Sequence, residues 1–182
     1  MHSEGLCKLR KLIFHNNMSG DGGCVAISKI LRICPYMEEF QMSTMRSKKL
    51  GGASVVAAFP SCPQLRTINL SDNTFGAAVG QQFATILGSL PHLTCLNLSD
   101  TYILDEGAAA VLVAITEHAP PLSELYLGYN ELTPDGIDGV LAPCVEAISS
   151  SLEVLSFLGN VALSNRGARI VSRALKGRAP CL

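Results

Sequence analysis

Tryptophan is absent from this 182-residue chain, aromatic residues make up 5% of it, and charged residues only 16%. A chain so poor in charge and 48% hydrophobic has too much apolar surface to stay a solvated coil, so disorder is excluded. No apolar run approaches the roughly 18 residues that span a bilayer, and no membrane insertion is expected. The first residues, Met1 to Glu4, lack the apolar stretch of a secretory signal. A net charge of −1 is not the basic excess of a nucleic-acid binder. Arg46, Lys48 and Lys49 form one local basic cluster, which reads as a solvated loop.

The seven cysteines (Cys7, Cys24, Cys34, Cys62, Cys95, Cys144 and Cys181) are odd in number and have no C-x-x-C spacing. That pattern disfavours a secreted disulfide framework and favours reduced thiols in a cytosolic or nuclear compartment. Cys34 and Cys62 stand 28 residues apart and read as packing residues. No His or Cys converges at metal-ligand spacing, so neither a metal nor a cofactor is expected. Cys181 is misplaced for prenylation. The N-x-S triplets at Asn17, Asn69 and Asn97 would be glycosylation acceptors only in a secreted chain.

What the chain does have is one phrase written six times, L-x-x-L-x-L-x-x-N-x-L-x-x-x-G. The copies open at Leu9, Met37, Leu65, Leu93, Leu122 and Leu152, so the steps are 28, 28, 28, 29 and 30 residues. A step of this length with this consensus marks a long leucine-rich repeat. The expected fold is α/β, a solenoid forming a ribonuclease-inhibitor-like horseshoe segment. Its parallel sheet lines the concave side, its helices cover the convex side, and residues 1–182 make a single domain.

Within each copy the L-x-L core predicts a short strand: Lys11–Phe14, Phe40–Met42, Ile68–Leu70, Leu96–Leu98, Leu125–Leu127 and Leu155–Phe157. Alternation turns the named apolar residues inward and leaves Asn69, Asn97, Tyr126 and Ser156 on the concave face. An Ala-rich segment of about 10–14 residues follows as the convex helix. Ala84, Ile86 and Leu87 are expected inside the third helix, and Val111, Leu112 and Ile115 inside the fourth. Gly23, Gly51, Gly107, Gly136 and Gly167 are read as lying ahead of the helices, and Pro35, Pro63, Pro91 and Pro120 as stopping them.

The asparagine of the phrase is Asn17, Asn73, Asn130 or Asn160, and these are expected to form a structural ladder. An inward amide there bonds backbone groups where the chain leaves the sheet. Met45 and Thr101 replace it in the second and fourth copies. The loop from Arg46 to Leu50 also has Ser47 where Leu or Ile is expected, so it is predicted to be the least regular turn. In the first copy, assigning Asn17 to the ladder turns Asn16 outward onto the rim, where substitution should barely touch stability. On composition alone the glycine-rich segment around it reads as a flexible turn.

Leu12-Ile13-Phe14-His15-Asn16-Asn17-Met18-Ser19-Gly20-Asp21 resembles the F-H-N-N-M-[ST]-G-D segment of plant-type Ran GTPase-activating proteins. Glu38-Glu39-Phe40, then Ser43-Thr44 to Arg46, is similar to that family's E-D-F-x-C-S-S-T-R phrase. Asp72, Asn73, Phe75 and Gly76 match its D-N-x-F-G, and Tyr102 to Gly107 its L-x-D-E-G turn. From Leu122 on the sequence is generic repeat. The chain departs from the family in lacking its preceding repeats, one with a rim arginine, its acidic tail and its targeting domain.

The resemblance implies activation of GTP hydrolysis on Ran bound to GTP and magnesium, in the cytoplasm or at the nuclear envelope. A rim asparagine would order the GTPase's own glutamine, which positions the attacking water. Asn16 is the residue so implied, acting in trans. His15, Asp21, Ser43, Arg46, Asp72 and Asp100 are candidate partner contacts. The alternative is a non-catalytic adaptor binding a protein through its concave face, since fold does not fix function. An enzyme in its own right is disfavoured: no Ser-His-Asp or Cys-His pair is expected on one rim, and His92 and His118 fall at helix ends.

Overall fold

In a computed structural model, residues 8–176 are described. Cys7, Cys181 and the polar N-terminal residues lie outside them. Six strands recur at the repeat step: β1 (Lys11–Ile13), β2 (Glu39–Gln41), β3 (Thr67–Asn69), β4 (Cys95–Asn97), β5 (Glu124–Tyr126) and β6 (Val154–Ser156). They form one parallel sheet in chain order. The register is one repeat step throughout, so Leu12 faces Phe40, Phe40 faces Ile68, Ile68 faces Leu96, and so on to Leu155. β1 starts at Lys11 as expected and ends a residue early, while each of the other five strands starts and ends a residue earlier than the L-x-L pattern suggested. Pairing nevertheless continues past it: Met42 N donates to Asn69 O at 2.7 Å and Leu70 N to Asn97 O at 3.0 Å.

The convex side carries α1 (Gly20–Leu31), α2 (Lys49–Val56), α3 (Ala77–Ile86), α4 (Leu104–His118), α5 (Pro134–Ile137), α6 (Leu141–Ala147) and α7 (Ser164–Lys176). Between the two layers runs one continuous apolar core, in which Phe40, Ile68, Leu96 and Leu125 are fully buried. Phe59 meets Phe40 of its own unit and Phe83 of the next edge-on, with ring centroids 5.7 and 6.2 Å away, and so ties the second and third units together. Val111, Leu112 and Ile115 are buried in α4, as expected. In α3 the inner face is Val79, Gly80 and Phe83 with Leu87 beyond it, while Ala84 and Ile86 are only half-buried.

Two expectations about the helices need correction. The glycines lie inside the first helical turns, not ahead of them. Gly107 is there because helices meet closely: a Cβ on it would stand 2.9 Å from Ile103 Cβ and 3.0 Å from Ala77 O, while one on Gly80 would stand 2.9 Å from Gly107 Cα. The fifth unit, moreover, has no single helix. Gly139 at φ +81° turns the chain out of α5. Pro143 then lacks the N–H that a helix continuing from Pro134 would need, but it is tolerated in the first turn of α6.

Loops are tied together by the asparagine ladder. Asn73 Oδ1 accepts from Met45 N (3.3 Å) and Ser47 N (3.2 Å), while its Nδ2 donates to Met42 O (3.1 Å) and Leu70 O (3.0 Å). Asn130 serves Thr101 N, Ile103 N and Leu98 O in the same way. Asn160 serves Asn130 N, Leu132 N and Leu127 O. Each amide therefore reaches back into the unit before it. This is why Met45 and Thr101 are tolerated: each is followed by a unit that has its own asparagine. The Met45 loop consequently is not irregular, contrary to expectation. Its positive φ values at Thr44 and Arg46 match those at Asp100 and Tyr102 two units on.

The candidate rim and concave face

Asn17 departs from the ladder. It is exposed, and its Nδ2 reaches only His15 O at 2.8 Å in its own turn, because no described unit stacks on that side. Asn16 is exposed on the rim with φ 53°. The equivalent residue of every unit shares this left-handed conformation: Thr44, Asp72, Asp100, Tyr129 and Gly159. Asn and Asp tolerate it best among non-glycine residues, so the backbone alone supplies one reason for asparagine at 16. The side-chain amide of Asn16 makes no hydrogen bond among the described residues, and its backbone N–H donates to Ser43 O at 3.0 Å.

His15 and Ser43, both candidate partner contacts, are brought together on this rim. Parallel register places the two residues on adjacent strand ends, one step of 28 apart. His15 Nδ1 accepts from Ser43 Oγ at 2.5 Å and from Ser43 N at 3.3 Å. Its Nε2–H is thereby left to donate to Gln41 Oε1 at 2.9 Å. Gln41 Nε2 donates in turn to Glu39 Oε1, and Glu39 Oε2 pairs with Lys11 Nζ at 2.9 Å. The first two units thus carry an unbroken polar chain across the concave face. It fixes the histidine ring through both nitrogens.

Asp21 is engaged within the fold. Its Oδ1 accepts from Ser47 Oγ (2.9 Å) and Lys48 N (2.7 Å), joining unit one to the start of α2. Burial pushes this carboxyl up, but the hydrogen bonds from Lys48 N, Ser47 Oγ and Gly51 N, with the Lys48 charge, outweigh it and hold the pKa below the ordinary range. Asp105 does the same three units later, taking Thr133 N at 2.8 Å and Thr133 Oγ1 at 2.6 Å. Asp21 is therefore a joint between units, not a free partner contact.

Arg46, Asp72 and Asp100 meet at one rim hollow of about 420 Å³, with Lys48 beside Arg46 and Tyr102 beside Asp100. Asp72 Oδ2 accepts from Thr44 Oγ1 at 2.7 Å. Burial and the neighbouring Asp72 charge push the Asp100 carboxyl up. The sequence reading missed Tyr102 and Tyr129, both exposed and both at positive φ. Their signal was positional: Tyr129 holds the Asn16 position of unit five, and Tyr102 the Arg46 position of unit four. Further along the concave face, Tyr126 OH donates to Glu124 Oε2 at 2.8 Å. Asn69 and Asn97 bond back to Ser71 N and Ser99 N, so two of the N-x-S triplets serve as strand ends. Cys34 and Cys62 are both fully buried. Burial and the nearby Cys34 push the Cys62 thiol up to about 12, that of an inert packing residue.

Comparison with known proteins agrees with the geometry. The family model described as "Leucine Rich repeat" matches residues 89–112. The chain is 27% identical over 165 residues to NLR family CARD domain-containing protein 4 of Xenopus tropicalis, covering 87% of this chain and 16% of that protein. It is 25% identical over 166 residues to the ribonuclease inhibitor of Mus musculus, covering 90% and 32%. It thus spans a third or less of either relative's length. Among solved structures, the tropomodulin C-terminal domain of Caenorhabditis elegans superposes with a TM-score of 0.63 at 11% identity, over 97% of this chain and 99% of that one. Leiomodin-1 actin-binding site 2 gives 0.61 at 11% identity, over 96% and 92%. At that identity the two structures speak for the fold alone. The fold is an α/β leucine-rich repeat solenoid.

Proposed function

We propose that this chain is a protein-binding module that docks a folded partner on its concave face and the adjoining rim. The observation carrying this reading is the polar chain from Lys11 through Glu39, Gln41 and His15 to Ser43. These side chains are ordered before any partner arrives, which lowers the entropic cost of docking. Tyr126, Tyr102 and Tyr129 add rigid amphipathic contacts beside them. A leucine-rich repeat relative whose name denotes inhibition, the ribonuclease inhibitor, supports the class of function, not the partner. The test is capture of partners from a lysate by the wild type, by Gln41→Ala/Tyr126→Ala, and by a convex-face control, Gln81→Ala/Thr85→Ala. Specific partners should be lost only with the concave variant. Equal retention by all three would sink the reading.

A finer reading, activation of GTP hydrolysis on Ran, rests on the phrase around Asn16. One feature favours it: Asn16 is exposed beside an oriented His15, with its amide uncommitted. The proteins named above include no GTPase regulator. Single-turnover hydrolysis on GTP-loaded Ran decides the matter. Acceleration that Asn16→Ala largely removes while binding persists supports it, since ordering a water acts on the barrier more than on affinity. Binding without acceleration leaves the adaptor reading, and no binding by a folded sample extended with the family's preceding repeats ends the Ran assignment.

A further inference from the structure

Charge along this chain is partitioned. Residues 1–66 hold nine Lys and Arg against four Asp and Glu, residues 67–165 hold eleven acids and no base, and residues 166–182 hold five bases and no acid. The basic end folds as α7. Its inner side is Gly167, Ile170 and Ala174, and the same three-and-four spacing lines up Arg166, Arg169, Arg173 and Lys176 outside. This basic row lines a groove of about 890 Å³. Half of the row is already docked on the acidic stretch of its own chain: Arg166 reaches Asp135 at 2.6 Å, and Arg173 stands 3.9 Å from Asp138. Arg169 and Lys176 have no acidic partner among the described residues.

A matching surface exists on α4. Glu106 and Glu117 lie three turns apart on its outer face, exposed and without a basic partner among the described residues. Between them Val113 is 41% exposed, at the edge of a hollow of about 190 Å³ left where α5 and α6 separate at Gly139 and Val140. Along their helices the basic pair stands about 10 Å apart and the acidic pair about 16 Å. Long Arg and Lys stems absorb that difference.

We infer that α7 of one copy docks on the α4 face of a second copy, with Arg169 and Lys176 against Glu106 and Glu117. The two surfaces are different patches of the same molecule, so the contact is head-to-side and propagates rather than closing on a pair. Exposed ion pairs are individually weak, and salt screens them. The association is therefore weak, concentration-dependent and strongly sensitive to ionic strength.

Sedimentation velocity on the full chain tests this, as a concentration series at about 20 mM and about 0.5 M salt, on either side of strong screening. The weight-average sedimentation coefficient should rise with concentration at low salt and stay flat at high salt. Arg169→Glu/Lys176→Glu and Glu106→Lys/Glu117→Lys should each abolish the rise, and an equimolar mixture of the two should restore it. Thermal melting by circular dichroism checks that each variant is folded. A monomer at low salt, association surviving high salt, or association surviving either charge swap would overturn the inference. So would a low-salt monomer retained on heparin through Arg169 and Lys176, which would assign the groove to a polyanion.

Discussion

At the scale of single residues, the asparagine of the ladder and the asparagine of the rim have different tasks, and the left-handed rim position separates them. Asn73 is buried and serves five backbone groups in two units. Asn73→Ala leaves those groups unsatisfied and should cost about 1–3 kcal/mol in urea unfolding. Asn16 holds no such bonds, and from exposure alone its replacement was expected to be neutral. Its φ of 53° changes that expectation: Asn16→Ala should lose about 1 kcal/mol through backbone strain, whereas Asn16→Gly should lose next to nothing. Equal losses for Ala and Gly would show that the backbone conformation is not the cause.

The two perturbed aspartates have opposite signs. The Asp21 pKa is depressed in the folded state, so its contribution is present above the ordinary aspartate value of about 4 and is lost as pH falls through the lower folded value. Asp21→Asn should therefore destabilise at neutral pH, with the gap closing in acid. The Asp100 pKa is raised, so its charge penalises the folded state as pH climbs through and above that same range. Asp100→Asn should stabilise at neutral pH and make no difference in acid. Melting temperatures from pH 3 to 7, within the span from below the ordinary aspartate value to neutrality, would check both signs.

At the scale of elements, glycines inside helices sort into two kinds. Gly22 in α1 has open space where a Cβ would go, so Gly22→Ala should stabilise by about 0.5–1 kcal/mol. Gly107 in α4 has the α3 backbone there, so Gly107→Ala should cost about 1–3 kcal/mol through overpacking. Equilibrium unfolding of the two variants distinguishes them. Strands were legible in the sequence because their period of two survives in every copy. Helix interiors were less so. Phe83 faces inward because α3 follows Gly76 at φ +82°, an entry angle that composition does not record. Asp21 was misjudged because its partners, Ser47 and Lys48, are a repeat away.

At the scale of the whole molecule, the repeat step alone prescribed the parallel register and the concave face. The candidate rim was only partly legible. Asn16, His15 and Ser43 were visible as a phrase, but the hydrogen bonds that freeze His15 come from register between strands. The meeting of Arg46, Asp72 and Asp100 likewise arises from stacking: Asp72 and Asp100 hold equivalent positions, and Arg46 stands two residues beyond that position in the unit before. Charge partition left its trace in the sequence and was hidden by a net value close to zero.

The interruption between α5 and α6 has a consequence for how the chain comes apart. A solenoid communicates only between neighbours, so its cooperativity is no stronger than its weakest junction. Beyond that interruption the last unit keeps Leu155 and Phe157 only half-buried, where Leu96 and Leu125 are fully buried, and it should open as a separate foldon while the rest stays closed. Amide exchange monitored by NMR should show β6 and α7 losing protection at a lower free energy than β3, β4 and α4. A single common opening energy would mean that the gap costs the array nothing. Otherwise the molecule behaves as a zipper that frays from one end.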